Sequence, residues 1–297
     1  MNQRRDATDS RGYARISGVR QLADAYDAFL VDSYGVLHDG GALYAGSVDC
    51  LERLRALGRS VVVLTNTPRR ASTVSREIEK IGIAPRHYDF LVSAGEVTYQ
   101  MLAMKAGQLG LAEDAAFYHV GPPRSRELLC GLPFVETDSL EECAFLLITG
   151  LVPAMEQMSD YDELLRAARA RGLPAICANP DVVAIRAGKR GGCAGTIAVA
   201  YQKLGGDVRF FGKPYPEIYE IAIDRLPVTA RSRILCVGDA LHTDIGGAQG
   251  AGLDSLFVES GIHHEQIAAE GGTDPVGFLF RSRHQRLPTA SIDRFCW

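Results

Sequence analysis

The sequence predicts an α/β protein built on a doubly wound parallel sheet, and three observations carry that prediction. Short apolar runs alternate with amphipathic stretches from residue 28 to about 258. The runs are continuous and rich in β-branched residues, as in Val61 to Leu64, which suits strands covered on both faces. Several runs end on a polar residue of chemical use, beginning with Asp32, and open parallel sheets gather their ligands at those carboxyl ends.

The elements follow in order. Ala28 to Val31 is the first strand. Val48, Leu51, Leu54 and Leu57 share one side of a helix that Gly58 stops. Val61 to Leu64 is the second strand, and Pro68 opens a helix that closes near Gly82. Phe90 to Val92 is a third strand, after which Ser93 and Glu96 make a capping box. Ala116 to Val120, Ala144 to Ile148 and Pro174 to Cys177 read as strands; Asp160 to Ala170 and Gly195 to Leu204 read as helices. Ile234 to Val237 and Ser255 to Val258 are strands on either side of a helix from Thr243 to Gly250. The stretch Thr273 to Trp297 has little periodicity and is expected to wrap the surface.

Composition narrows the function classes. The 297 residues are 46% hydrophobic and 23% charged, with a net charge of −4. That is ordinary for a globular enzyme and gives no basic footprint for nucleic acid. No run reaches the 18 apolar residues a spanning helix needs. Arg4-Arg5 has no apolar stretch behind it, so no export signal is expected. Seven scattered cysteines without a C-x-x-C pair argue against zinc and against a disulfide framework. A cytoplasmic setting is the expectation.

The polar residues at the strand ends form a coherent set. Asp32 ends the first strand, and Thr65 and Asn66 end the second. Asp239 follows the strand Ile234 to Val237, with Asp244 five residues later. Lys213 follows the run Arg209 to Phe211. Two or three carboxylates can hold Mg²⁺, a hard cation that prefers oxygen ligands. A lysine and a hydroxyl can bind phosphate oxygens, and one carboxylate can attack phosphorus.

These residues sit in recognisable motifs: Asp32-Ser33-Tyr34-Gly35-Val36-Leu37, Leu64-Thr65-Asn66, Gly212-Lys213-Pro214 and Gly238-Asp239-Ala240-Leu241-His242-Thr243-Asp244. Together they resemble motifs I to IV of the haloacid dehalogenase-like hydrolase superfamily. Gly35-Val36-Leu37-His38 and Ala178-Asn179-Pro180-Asp181 are similar to its class IIA members, the phosphatases of the NagD and pyridoxal or phosphoglycolate phosphatase type. The resemblance covers about Tyr26 to Gly261. It implies a doubly wound parallel-sheet (Rossmann-like) core, residues 1–95 plus 208–297, with an inserted α/β cap domain over 96–207. It implies a small phosphorylated metabolite as substrate and Mg²⁺ as cofactor. Caps of this class often mediate dimers, which raises a homodimer for this chain.

Roles follow from the resemblance. Asp32 would be the nucleophile and a metal ligand, and Asp239 a direct metal ligand. Asp244 would bind the metal through water or support the loop, and the Tyr34 carbonyl would be a further ligand. Thr65 and Asn66 would hold the phosphate while Lys213 neutralises it.

One position departs from the pattern. Phosphatases of this superfamily carry a second aspartate two residues after the nucleophile, and here Tyr34 stands there. A phenol can donate a proton but is a poor base near neutral pH, so a slow phosphatase or one favouring good leaving groups is expected. His38 is the nearest substitute. Two other readings stay open: a phosphometabolite-binding or sensing protein, and a haloacid dehalogenase, whose motif I also reads Asp-x-Tyr-Gly. His263-His264 reads as surface, Arg69-Arg70 and Lys189-Arg190 as solvated charge, and Asn179 to Asp181 as a cap loop or a simple turn.

Overall fold

The computed structural model describes residues 12–112, 114–152, 157–186, 189–228, 230–270 and 272–297. Arg4-Arg5 lies outside them, as does the Lys189 side chain. The strands begin with β1 (Ala14–Ile16), β2 (Ala28–Asp32), β3 (Ser60–Thr65), β4 (Phe90–Ser93), β5 (Ala116–Val120), β6 (Val135–Glu136) and β7 (Phe145–Ile148). They continue with β8 (Ala175–Cys177), β9 (Val183–Arg186), β10 (Lys189–Gly192), β11 (Val208–Phe210), β12 (Ile234–Gly238), β13 (Asp254–Val258) and β14 (Ala290–Ile292).

Seven strands form one sheet in the order β1-β14-β13-β12-β2-β3-β4, with every pair parallel. From β2 the chain proceeds outward through β3 and β4; from β12 it proceeds the other way through β13 and β14. The strand order therefore reverses between β2 and β12, which places a ligand crevice at their carboxyl ends. All five residues of β2 are buried. Leu30, Val62 and Cys236 enter one core cluster, while Phe29, Val31, Val61 and Leu235 enter another on the opposite face. Each such side chain contributes roughly 1.5–3 kcal/mol by leaving water. Both faces being covered is why these runs are continuous and do not alternate.

The remaining parallel sheet, β11-β8-β7-β5-β6, belongs to the cap inserted between β4 and β12. β9 and β10 form a separate antiparallel pair. Leu165 and Ala168 from helix Asp162–Ala170, with Ile197 and Tyr201 from helix Ala194–Lys203, pack on one face of the cap sheet against Leu146 and Ile148. On the other face Phe117, Phe145 and Leu147 join Val97, Met101 and Leu102 of helix Ala94–Lys105 in the same cluster as Leu30. One hydrophobic core thus runs from sheet to sheet. The capping box is formed as the sequence predicted: Ser93 Oγ accepts from Glu96 N at 3.0 Å.

Two expectations need correction. The second core segment does not start at 208, because β11 pairs with β8 and completes the cap sheet; the run Arg209 to Phe211 shows in the sequence, but not which sheet it joins. The C-terminal stretch does not wrap the surface. It contains helix Pro275–Ser282, whose first turn Asp274 caps at Gly277 N (2.9 Å), and then β14, which lies between β13 and β1 inside the sheet. Ser291 and Phe295 are fully buried there.

Candidate active site

The polar strand ends meet at the switch point of the larger sheet. Asp32 closes β2, Thr65 closes β3 and Asp239 follows β12. The segment read as a plain helix from Thr243 begins as a π turn, Leu241–Ile245, and that wider turn carries Asp244. Asp32, Asp239 and Asp244 each offer an oxygen within 4.8 Å of the others. Lys213 reaches them from the loop after β11, and its Nζ donates to Asp32 Oδ1 at 2.5 Å and to Asp244 Oδ1 at 2.7 Å. All four residues are buried.

Burial sets their electrostatics. It pushes the Asp32 carboxyl well up; Lys213 pulls it down, and Asp244 and Asp239 push it up again. Asp239 is pushed up to about 7 by burial and by Asp244. Burial alone would discharge Lys213, but Asp244 and Asp32 outweigh it and hold the ammonium charged. Three carboxylates around one ammonium leave an excess of negative charge in a dry place, which is costly unless a cation joins them. The donor set is all oxygen and close-set, so it fits a hard divalent cation. Removing the ammonium should therefore be severe. Lys213→Met is expected to cost about 3–5 kcal/mol in denaturant unfolding under EDTA, because Asp32 and Asp244 lose their counter-charge.

Neighbouring backbone fixes the carboxylates. Asp239 Oδ2 accepts from Ile262 N at 2.7 Å, and Asp244 Oδ2 from Ala240 N at 3.0 Å. Gly35 has φ +84°, and a Cβ there would fall 2.0 Å from Asp239 Oδ2. Any side chain at 35 would collide with that carboxylate. Asn66 is engaged at both ends of its amide: Oδ1 accepts from Lys213 N at 2.7 Å, while Nδ2 donates to Lys213 O (2.9 Å) and Asp181 Oδ1 (2.8 Å). It is a positioning residue for the Lys213 loop and ties that loop to the cap. Thr65, 2% exposed, lines the same cavity.

Tyr34 is half-buried and lines the cavity, with its ring 4.5 Å from that of His38. Its backbone carbonyl accepts no hydrogen bond from a described backbone group. His38 does not replace the missing acid. Gly40 N donates to its Nδ1 at 2.9 Å, its Nε2 faces Ser33 Oγ at 2.8 Å, and burial depresses it to about 4. It is a neutral strut behind the loop.

The other polar pairs separate. Arg70 makes two bonds to Glu96 and stacks on Tyr99, while Arg69 pairs with Glu77 yet still lines the cavity. Arg190 lines the cavity too and donates to Ile262 O at 2.9 Å. His263 bonds Leu241 N and Gln266, and His264 lies exposed at the cavity edge. Asp181 faces the cavity, so the Asn179 to Asp181 loop is more than a turn. Arg124, Ser125 and Thr149 of the cap also line it, and nothing in their sequence neighbourhood marked them.

Polar groups thus converge at the switch point of a parallel core, under an inserted cap, in a shared cavity of about 670 Å³. Residues 29–134 match the family described as haloacid dehalogenase-like hydrolase, and residues 210–278 match one described as HAD-hydrolase-like. A solved hydrolase of the haloacid dehalogenase-like family from Brucella suis 1330 superposes with a TM-score of 0.81 at 32% identity, over 94% of this chain and 99% of that one. The D-glycerol 3-phosphate phosphatase of Mycobacterium tuberculosis is 29% identical over 272 residues, which is 90% of this chain and 73% of the relative. A solved glycerol phosphate phosphatase from the same organism, in complex with magnesium, has a TM-score of 0.64 and 27% identity over 84% of this chain and 73% of that one. This chain belongs to the haloacid dehalogenase-like hydrolases.

Proposed function

We propose that this chain is a magnesium-dependent phosphohydrolase that acts on a small phosphomonoester through an aspartyl-phosphate on Asp32. One observation carries the reading: Asp32, Asp239, Asp244 and Lys213 converge, buried, on one cavity at the core switch point. The phosphatase relatives support the reaction class, and the magnesium complex of one of them supports the cation.

Lys213 holds Asp32 so that its second oxygen can face a bound phosphoryl group. That oxygen attacks phosphorus as the bond to the leaving alcohol breaks in line. Lys213 and the Thr65 hydroxyl bind the transferring oxygens, and water then attacks the same phosphorus and frees Asp32. Magnesium, held by Asp32, Asp239 and the Tyr34 carbonyl with Asp244 beside them, would neutralise phosphate charge. The cap sheds water from the cavity and meets the alcohol part of the substrate.

A phenol is a much weaker acid than the carboxylic acid usual at this position, so Tyr34 gives the leaving alkoxide little help, and a neutral phenol takes no proton from water. Esters of acidic alcohols should therefore be hydrolysed faster than alkyl esters. The same substitution favours one other reading, a protein that binds a phosphorylated metabolite without turning it over. A phosphomonoester panel with and without Mg²⁺ separates them, with 2-chloropropionate as the dehalogenase control. Mg²⁺-dependent phosphate release supports the hydrolase; binding without release supports the sensor, and chloride release the dehalogenase.

Metal binding should also depend on pH. Asp239 must give up its proton to bind a cation, and its raised value of about 7 sets the range. Magnesium affinity by calorimetry is expected to climb as pH rises toward 7 and to level off above it. A flat profile would remove Asp239 from the ligand set. No helix among the described residues is long and apolar enough to cross a membrane.

A further inference from the structure

The cap has a switch point of its own. The chain visits β5, β6 and β7 in turn, yet β5 lies between β6 and β7 in the sheet. The loops that leave β5 and β7 therefore part at their carboxyl ends and open a crevice, the place where parallel sheets take ligands. Both loops line the cavity that Asp32 faces. They approach closely: Thr149 Oγ1 lies 2.7 Å from His119 Nε2, and a Cβ on Gly121 would fall 2.0 Å from that same oxygen. Glycine at 121 is what lets the crevice floor close.

Two groups on this crevice have no hydrogen-bond or ion-pair partner among the described residues. Ser125 is 2% exposed and lines the cavity, and its hydroxyl bonds to no described residue. Its oxygen is not one of the atoms sealed from solvent without a partner, so it stays within reach of a ligand atom in the cavity. Arg124, beside it, opens onto the cavity and forms no ion pair among the described residues. The other cavity-lining guanidiniums are committed, Arg69 to Glu77 and Arg190 to the Ile262 carbonyl. A guanidinium with a neighbouring hydroxyl suits a carboxylate or a phosphate, which it can grip with two parallel bonds. The cavity, about 670 Å³, has room for a ligand that spans both ends.

We propose that Arg124 and Ser125 form a second oxyanion subsite. It reads a carboxylate or a second phosphate on the alcohol part of the ester whose phosphoryl group sits at Asp32. This assignment rests on the phosphohydrolase reading of the site and names its substrate class as doubly anionic.

The test uses matched esters of increasing chain length: ω-phosphoryloxy carboxylates, the bisphosphates of the corresponding diols, and the neutral diol monophosphates. The wild-type chain is expected to prefer one anionic ester over its neutral partner by about tenfold or more in kcat/KM, mostly through KM. Arg124→Gln should bring that ratio close to one, Arg124→Lys should restore part of it, and Ser125→Ala should lower it by a smaller factor. The preferred ester tells carboxylate from phosphate. Equal use of anionic and neutral partners by the wild type, or an unchanged ratio in Arg124→Gln, overturns the subsite. If no ester is hydrolysed, p-nitrophenyl phosphate included, the phosphohydrolase reading fails instead. Calorimetric binding of the same pairs to wild type and Arg124→Gln then decides the subsite by the same ratio.

Discussion

Asp32→Asn is expected to lower phosphomonoester turnover by about 10³–10⁶-fold, the range seen when an enzyme loses its nucleophile. The amide is isosteric and can still accept from Lys213, so the geometry around Nζ should survive. What disappears is the anionic oxygen that forms the bond to phosphorus. The substitution also removes one of three crowded negative charges. Burial, Asp244 and Asp239 all work against Asp32 being charged, so thermal stability under EDTA should hold or rise. Loss of activity with unchanged or improved stability separates a chemical role from a structural one. Full activity in Asp32→Asn would remove the mechanism.

Tyr34→Asp is expected to act in the opposite direction. A positioned general acid–base is worth about 10²–10⁴ in rate, and residue 34 lines the cavity that Asp32 faces. The gain should be largest for alkyl phosphates, whose leaving alkoxide needs the proton. In kcat/KM it should be small for p-nitrophenyl phosphate, whose leaving group departs as a stable anion. The steric side is favourable: Tyr34 is half-buried and packs on His38 and Gly40, so a smaller residue leaves no deep core void. Steady-state rates across a leaving-group series measure the effect. No gain with alkyl esters would mean that another group already moves the proton, or that the carboxylate at 34 is misaligned.

Much of the core was legible in the sequence because its strands are covered on both faces. Continuous runs such as Val61 to Leu64 are the direct imprint of that burial, and their polar terminators mark the carboxyl edge where Asp32, Thr65 and Asp239 sit. Motif order then brought Lys213 and Asp244 into the set. The illegible parts have physical causes too. β1 and β14 are three residues long and are held by partners far away in sequence, while β11 shows as a run but takes its sheet from its pairing with β8. Asn66 read as a phosphate contact, but its amide is satisfied by Lys213 and Asp181, partners 147 and 115 residues distant. His38 read as a catalytic candidate because it is near in sequence; only the fold shows both its nitrogens engaged. Arg124 and Ser125 depend on where two cap loops separate, which is a property of strand order and not of local sequence.

The central claim is that Asp32 accepts the phosphoryl group. Acid-quenched single-turnover reactions with a phosphorus-labelled ester and Mg²⁺, followed by peptide mapping, test it most directly. With p-nitrophenyl phosphate as that ester the leaving group needs no proton, whereas the attacking water must lose one, so label is expected to accumulate on the peptide that carries Asp32 and to be absent in Asp32→Asn. Release of labelled phosphate at the same rate from wild type and Asp32→Asn, with no labelled peptide in either, would contradict it.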